Sequence, residues 1–320
     1  MPKPLPRTPK PSVSIIGAGR LGQALALGLQ SSGYPILALV ARRHQKAEKA
    51  VALLGNTVET SPPLALATSR LVDLPSAALT IIATPDDVIE ETAGRLAGLQ
   101  RGRAERTILH TSGALSSAVL APLAEVGFQT GSIHPLIAVN DSASGAAAFS
   151  GTYFCLEGTR KAIKLARTIV DDLGGNSFTI KPESKALYHA AAVMASPHLA
   201  ALFDLAISML GACGLGRRDA QKVLMPLLES TVNNLKTSTP QQALTGTFAR
   251  GDLATVRKHL SAMTENDVAQ AIEIYKLLGL RSLQLAGKSG LDPERAKMIR
   301  ELLKDDLPRI HADERGSDQE

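Results

Sequence analysis

The sequence has no tryptophan, and aromatic residues of every kind make up only 3% of its 320 positions. Stacking platforms for single-stranded nucleic acid need aromatic faces, so that class of function is disfavoured. Cysteine is almost as scarce. Cys155 and Cys213 lie far apart, with no metal-ligand spacing, and no metal site is expected. Neither a disulfide framework nor a cysteine-bound metal follows from two such residues, and a reduced, cytoplasmic setting is the expectation. Nowhere do about 18 apolar residues run uninterrupted, so no membrane-spanning helix is expected. The opening "MPKPLPRTPKP" has no apolar core and does not read as a signal peptide. Charge of one sign does not dominate either, since 35 Lys and Arg stand against 30 Asp and Glu, a net of +5. Apart from "RRHQK" (42–46) and "RGRAER" (101–106) the basic residues are scattered, with no stripe suited to a nucleic-acid groove. A mild positive balance suits small anions, phosphates especially.

What is present is apolar and small. Hydrophobic residues make up 44% of the chain, enough to build a sizeable core, and the length suggests two domains. "VSIIG" (13–17) is a short strand ending in glycine. "GAGRLG" (17–22) then opens an amphipathic helix that stops at Gly33. Strands follow at "YPILALVA" (34–41), "ALTIIATP" (78–85), "RTILHTSGAL" (106–115), "GFQTGSIHPL" (127–136), "TYFCLEG" (152–158) and "NSFTI" (176–180), most of them alternating with helices. That alternation predicts a Rossmann-type α/β fold, a doubly wound parallel sheet with helices on both faces. After Lys181-Pro182 no strand pattern recurs, and long apolar helices run to about Leu303. The expected organisation is a tail over 1–11, a nucleotide-binding domain over 12–181, an all-α domain over 182–304 and a second tail over 305–320.

"GAGRLG" matches G-x-G-x-x-G, and its place between a strand and a helix is the context that gives the pattern meaning. Gly17 permits the tight turn, Gly19 a close approach of a pyrophosphate, and Gly22 close packing of helix on sheet. Arg20 and Leu21 begin the helix, whose free N–H groups face the phosphates. Thr84 and Pro85 lie at the end of the third strand on the same edge. The second strand ends in Ala41-Arg42-Arg43, where an NAD-binding chain would carry a carboxylate. Two guanidiniums there suit a 2′-phosphate, so NADP is the expected cofactor.

Polar residues collect at the other strand ends, the ligand-facing edge of an open parallel sheet. In "GSIHPL" the proline holds His134 in extended geometry at that edge. An imidazole there can exchange a proton as hydride moves, so His134 is the candidate acid–base group. Ser112 is placed with it, while His110 and Ser132 are candidates to bind substrate. On the long helix, Lys185, His189 and Ser196 share one face of an otherwise apolar surface. Lys185 and His189, one turn apart, are expected to face the nicotinamide and bind an anionic group, with Ser196 further along. A structural pair between Lys185 and Glu183 or Asp86 is the competing explanation. Arg250, in the loop "TGTFARGD" (245–252), is a candidate carboxylate clamp, and Asp252 a helix cap.

Taken in order, "GAGRLG", "ATPDDVI", "HTSGALSS", "GSIHPL", "YHAAAVMAS" and "ALTGTFARGD" resemble a bacterial family of Rossmann-like proteins whose helical second domain has no known function. That family is similar to pyrroline-5-carboxylate reductase and to the 6-phosphogluconate dehydrogenase-like group. "GSIHP" also resembles the Gly-x-His-Pro segment of prephenate dehydrogenases, in which a histidine contacts substrate. The resemblance implies an NADP-dependent oxidoreductase fold and a homodimer formed through the helical domain. It supplies no substrate beyond a small, anionic carbonyl, imine or hydroxyl compound. Two residues depart from the family pattern: Pro197 where Asn is expected, and Thr247 where Pro is expected. Deazaflavin-dependent chemistry in the same fold, and a nucleotide sensor without turnover, are the alternatives.

Overall fold

The computed structural model describes residues 9–55, 62–99, 106–147, 149–266 and 268–304. The chain divides into two compact units, Met1–Pro197 and His198–Glu320. The change of pattern near 181 is therefore a change of secondary structure, whereas the compact units part 16 residues later, at Pro197. The first helix of the all-α region belongs to the first unit.

The first unit is built on one eight-stranded sheet of order β3-β2-β1-β4-β5-β6-β7-β8. The strands are β1 (Val13–Ile16), β2 (Ile36–Ala41), β3 (Leu64–Ala67), β4 (Leu79–Ile82), β5 (Thr107–His110), β6 (Gln129–Pro135), β7 (Tyr153–Gly158) and β8 (Asn176–Thr179). Helices α1 (Arg20–Ser31), α2 (His44–Leu53), α3 (Asp86–Leu99), α4 (Ala121–Glu125), α5 (Ser142–Ala147) and α6 (Arg160–Asp172) connect them. Alternating strand residues build two apolar cores, one on each face. Val13, Ile15, Leu39, Ile81, Leu109, Ile133, Phe154 and Leu156 belong to one; Ile16, Val40, Ile82 and Ile108 belong to the other.

The expected all-parallel sheet is corrected in one respect. β1 to β6 are parallel, but β7 runs antiparallel to β6, and β8 follows β7. An antiparallel neighbour needs no crossover to the far end of the sheet, so the link after β6 turns back at the same end. Its helix, α5, packs on α1. The consequence is a register that sets Cys155 opposite His134 and Glu157 opposite Ser132.

The proposed N-terminal tail over 1–11 is also corrected at its inner end. Lys10 is ion-paired with Asp172 and lies over the Tyr34 ring, 5.0 Å from its centroid, so that part is tied down. The rest of that tail up to residue 8, the tail over 305–320 and most of the basic cluster 101–106 lie outside the described residues.

Helix α7 (Lys185–Ala195) ends at Ser196, whose φ of −127° and ψ of −75° are not helical, and α8 (Pro197–Ala212) begins at the proline. Proline is tolerated at a first helical position but not inside a helix, which accounts for the break. The stretch Pro182–Ala212 has a mean hydropathy of 1.6 in its most apolar window, long and apolar enough by length and composition to cross a membrane. The run is not uninterrupted, since Lys185, His189 and Asp204 fall within it. The break at Ser196 leaves helices of 11 and 16 residues, each shorter than the roughly 20 a straight span requires.

The second unit takes in α8 from His198 onward and has helices as its only regular structure among the described residues: α9 (Arg217–Thr237), α10 (Pro240–Ala243), α11 (Thr247–Arg250), α12 (Leu253–Glu265), α13 (Ala269–Lys288) and α14 (Pro293–Lys304). Val256, Leu283, Ile299 and Leu303 form its core. "TGTFARGD" is not a plain loop, since it contains the turn of α11. Gly251 follows in the left-handed region, and Asp252 caps α12 by accepting from the Thr255 N–H at 3.0 Å.

Candidate active site

The glycine-rich turn is fixed by close approaches. Gly17 has φ +115°, and a Cβ there would lie 2.3 Å from the Ala83 carbonyl oxygen. A Cβ on Gly22 would lie 1.9 Å from the Gly17 carbonyl oxygen, so only glycine lets α1 start against β1 and β4. Gly19 differs: nothing lies within 4 Å of its Cβ position. It precedes α1 with no side chain capping the helix, which leaves the first N–H groups without a side-chain acceptor. The Thr84 hydroxyl is buried without a partner among the described residues, and the Thr84 N–H lies beside Gly17. Pro85 follows it, exposed, at the start of α3. Arg42 and Arg43 are exposed just beyond β2, and neither makes an ion pair among the described residues. A cradle open at Gly19, an orphaned hydroxyl and two unpaired guanidiniums fit a dinucleotide carrying an extra phosphate.

On the sheet face that carries Ile108, the pattern changes from apolar to polar toward β7. His110, Ser132 and Glu157 form one cross-strand row, and His134 and Cys155 form the next. Helix α7 covers them. Lys185 is 1% exposed, and its ammonium donates to the Ser112 carbonyl at 2.8 Å and to Ser132 Oγ at 3.2 Å. Burial pulls its pKa down, while Cys155, Glu157 and Asp86 pull it back up. Glu157, buried in the same layer, accepts from the Ser117 N–H at 2.7 Å and from the Ser117 hydroxyl at 2.6 Å.

His134 is the half-buried member of this layer. Its Nδ1 lies 2.6 Å from the Tyr188 hydroxyl, and its ring meets that of His189 edge-on at 5.7 Å between centroids. Gly113 lies between the imidazoles. A Cβ there would stand 2.4 Å from His189 Cδ2 and 2.8 Å from His134 Nε2. Burial, then Lys185 and His189, lower the His134 pKa to about 4, so the ring is neutral at pH 7. A pocket of about 400 Å³ joins the two halves of the site. Arg20 and Leu21 of the glycine-rich turn line it together with His134, Pro135, Ile137 and Val139.

The structure thus brings Ser112, Ser132, His134, Lys185 and His189 together, with changed roles for several. Ser112 was expected beside the acid–base group, but its hydroxyl is fully committed. It donates to Asp86 at 2.8 Å and accepts from the Ala114 and Leu115 N–H groups at 3.1 and 2.9 Å. A hydroxyl has one proton and two lone pairs, so none is left for chemistry, and Ser112 shapes the loop instead. Ser132 is buried beneath Lys185 rather than open to substrate. His110 is also beneath the surface. It is fully buried, its Nδ1 accepts from the Ser112 N–H at 3.2 Å, and burial together with Lys185 lowers its pKa to about 3. Lys185 points to the predicted strand ends, where protein oxygens take two of the three donors of its ammonium. Ser196 lies eleven residues along from Lys185, about 16 Å at the rise of a helix, and is exposed. Arg250 is exposed at the end of α11 in the second unit.

Tyr188, Gly113, Cys155 and Glu157 are the site residues that sequence reasoning missed. A signal existed for the last two: in "FCLEG" they alternate with Phe154 and Leu156 and so share the opposite face. Tyr188 sits in an apolar helix where an aromatic reads as core.

A Rossmann-like domain model matches residues 5–135, and a model described as a domain of unknown function, DUF2520, matches residues 152–282. The border between them falls where the sheet turns antiparallel, so His134 and Tyr188 come from different matches. No curated protein matches the chain. Among solved structures, protein TM1727 from Thermotoga maritima is similar, with 23% identity, 92% of this chain and 98% of that one covered, and a TM-score of 0.61. A putative NADP oxidoreductase from Bacteroides fragilis, BF3122, is 21% identical over 86% of this chain and 98% of its own, with a TM-score of 0.66. Pyrroline carboxylate reductase from Plasmodium falciparum, solved with NADP bound, is 13% identical over 92% and 99%, with a TM-score of 0.53. At these identities the likeness is one of fold.

Proposed function

We propose that this chain, a Rossmann-like domain joined to a DUF2520 domain, is an NADP(H)-dependent oxidoreductase acting on a small carbonyl, imine or hydroxyl compound. The observation that carries this is the pocket in which the glycine-rich turn, through Arg20 and Leu21, shares a wall with His134. A nucleotide loop and an accessible imidazole in one cavity of about 400 Å³ are the two halves of a hydride-transfer site. Two structural neighbours support the same class: a putative NADP oxidoreductase, and a reductase solved with NADP.

In this proposal the α1 N-terminus and Gly19 hold the pyrophosphate, Thr84 hydrogen-bonds the cofactor, and Arg42 and Arg43 pair with the 2′-phosphate. NADPH, when bound, supplies the hydride. His134 holds or moves the proton at the substrate oxygen or nitrogen through Nε2, the ring atom that faces Gly113. His189 flanks it. Burial keeps His134 neutral and the nearby Lys185 adds to that, while Arg20 is the cation lining the pocket that can meet an anionic group.

A homodimer in a cytoplasmic setting completes the proposal. Leu187 and Met194 in the first unit, and Val223 and Leu227 in the second, are each more than 60% exposed, apolar side chains of the kind that a second copy covers. Cys155 and Cys213 are both free, as a reducing compartment keeps them. The test is NADPH oxidation by the full chain, followed at 340 nm against a panel of keto acids, aldehydes and cyclic imines. Turnover with one class supports the assignment; no turnover with any member, in either direction, contradicts it.

A further inference from the structure

We infer that Tyr188 is a positioning residue that fixes His134 as the tautomer with its proton on Nε2, so that this imidazole meets the substrate as a neutral donor. The chemical consequence rests on the oxidoreductase proposal above; the tautomer does not.

The inference starts from geometry. Tyr188 comes from α7 and His134 from β6, 54 residues apart, and the hydroxyl lies 2.6 Å from Nδ1. The rings meet edge-on at 86° with centroids 5.6 Å apart, so the phenol approaches along the imidazole edge. On its far side Tyr188 packs against Phe178, at 5.9 Å between centroids, which holds the ring in place. The hydroxyl also hydrogen-bonds Cys155, which β7 sets opposite His134.

A phenol has one proton to give, and here it has two neighbours. An imidazole nitrogen is a strong acceptor and a thiol sulfur a weak one, so the proton goes to Nδ1. Burial raises the Cys155 thiol above its usual range, so Cys155 keeps its proton and stays the weaker acceptor beside the phenol. With Nδ1 occupied as an acceptor, the ring proton of neutral His134 must sit on Nε2. Nothing among the described residues hydrogen-bonds Nε2, which faces Gly113, with the His189 ring close beside it.

Every ionisable neighbour acts in the same sense or not at all. Lys185 and His189 face the ring from α7 and disfavour a second proton on it, as burial does. His110, on β5, is itself held neutral. The carboxylate of Glu157, on β7, is turned to Ser117. A neutral His134 with its proton on Nε2 can donate a hydrogen bond that polarises a carbonyl or imine.

The test is ¹⁵N-resolved NMR of the histidine rings in the full chain at pH 7.5, with His134 assigned by loss of its signal in His134→Gln. The expected spectrum shows His134 protonated at Nε2, with Nδ1 in the range of an acceptor nitrogen. In Tyr188→Phe the tautomer ratio should shift toward Nδ1–H by roughly two- to tenfold, the factor one ordinary hydrogen bond supplies. An Nδ1–H tautomer in the wild-type chain overturns the inference, and that measurement needs no variant to fold. An unchanged ratio in a folded Tyr188→Phe overturns it too. Neither readout involves NADPH or turnover, so failure here is separate from failure of the enzymatic proposal.

Discussion

The ammonium of Lys185 donates to the backbone carbonyl of Ser112, 73 residues earlier in the chain, at 2.8 Å. A cation tied to the loop after β5 and to Ser132 on β6 binds the helical segment to the sheet. It also sets the potential felt by the two histidines on either side. Lys185→Met keeps the stem and removes the charge. Two buried acceptors lose their donor, at a cost of about 1–3 kcal/mol. Because Lys185 lowers both His110 and His134, each should titrate at higher pH in the variant. An NMR pH titration checks this, and unmoved histidine pKa values would show that the charge is not what holds them neutral.

Gly113 is the second point of tension. A methyl there meets both imidazoles well inside contact distance. Gly113→Ala should therefore displace His189 or His134 and destabilise the first unit by roughly 1–3 kcal/mol. Urea denaturation measures the cost. A variant as stable as wild type, with unchanged His134 resonances, would mean the loop yields freely.

Stability should fall on acidification in a defined window. His110 and His134 titrate at about 3 and about 4 in the folded chain, and near 6.5 when unfolded. Between those values the unfolded chain binds more protons, so stability rises with pH and is lost as pH falls from about 6.5 toward 4. Each histidine contributes a slope of at most roughly 1.4 kcal/mol per pH unit. His110→Gln should flatten the slope. Denaturation at pH 7 and pH 5 decides it, and a wild-type chain equally stable at both would refute the prediction.

For chemistry, His134→Ala should lower kcat by roughly 10²- to 10⁴-fold while leaving NADPH affinity within a few-fold. Loss of fold without a specific loss of rate would reduce His134 to a strand-end residue.

Much of this was legible in the sequence, for physical reasons. β1, the glycine-rich turn and α1 declare themselves because a short apolar strand passes into a helical period across glycines, of which Gly17 and Gly22 leave no room for a side chain. The break at Pro197 was readable from the missing N–H of proline. β3, four residues at the sheet edge, offers only "LALA" after two prolines, too little pattern to see. The direction of β7 was hidden because local alternation is the same whichever way a strand runs. That direction decides that Cys155 lies beside His134 and within reach of Tyr188. Ser112 shows the other limit: a hydroxyl at a strand end reads alike as a nucleophile's neighbour or a loop cap, and only its three hydrogen bonds decide between them.

The most direct test of the central claim is calorimetric titration of the full chain with NADPH and with NADH, repeated on the double variant Arg42→Ala/Arg43→Ala. Charge-assisted pairing with the 2′-phosphate predicts NADPH binding tighter than NADH by roughly ten- to a hundredfold, a preference that disappears in the variant. No saturable binding of either nucleotide, or equal affinities that the variant leaves unchanged, would contradict it.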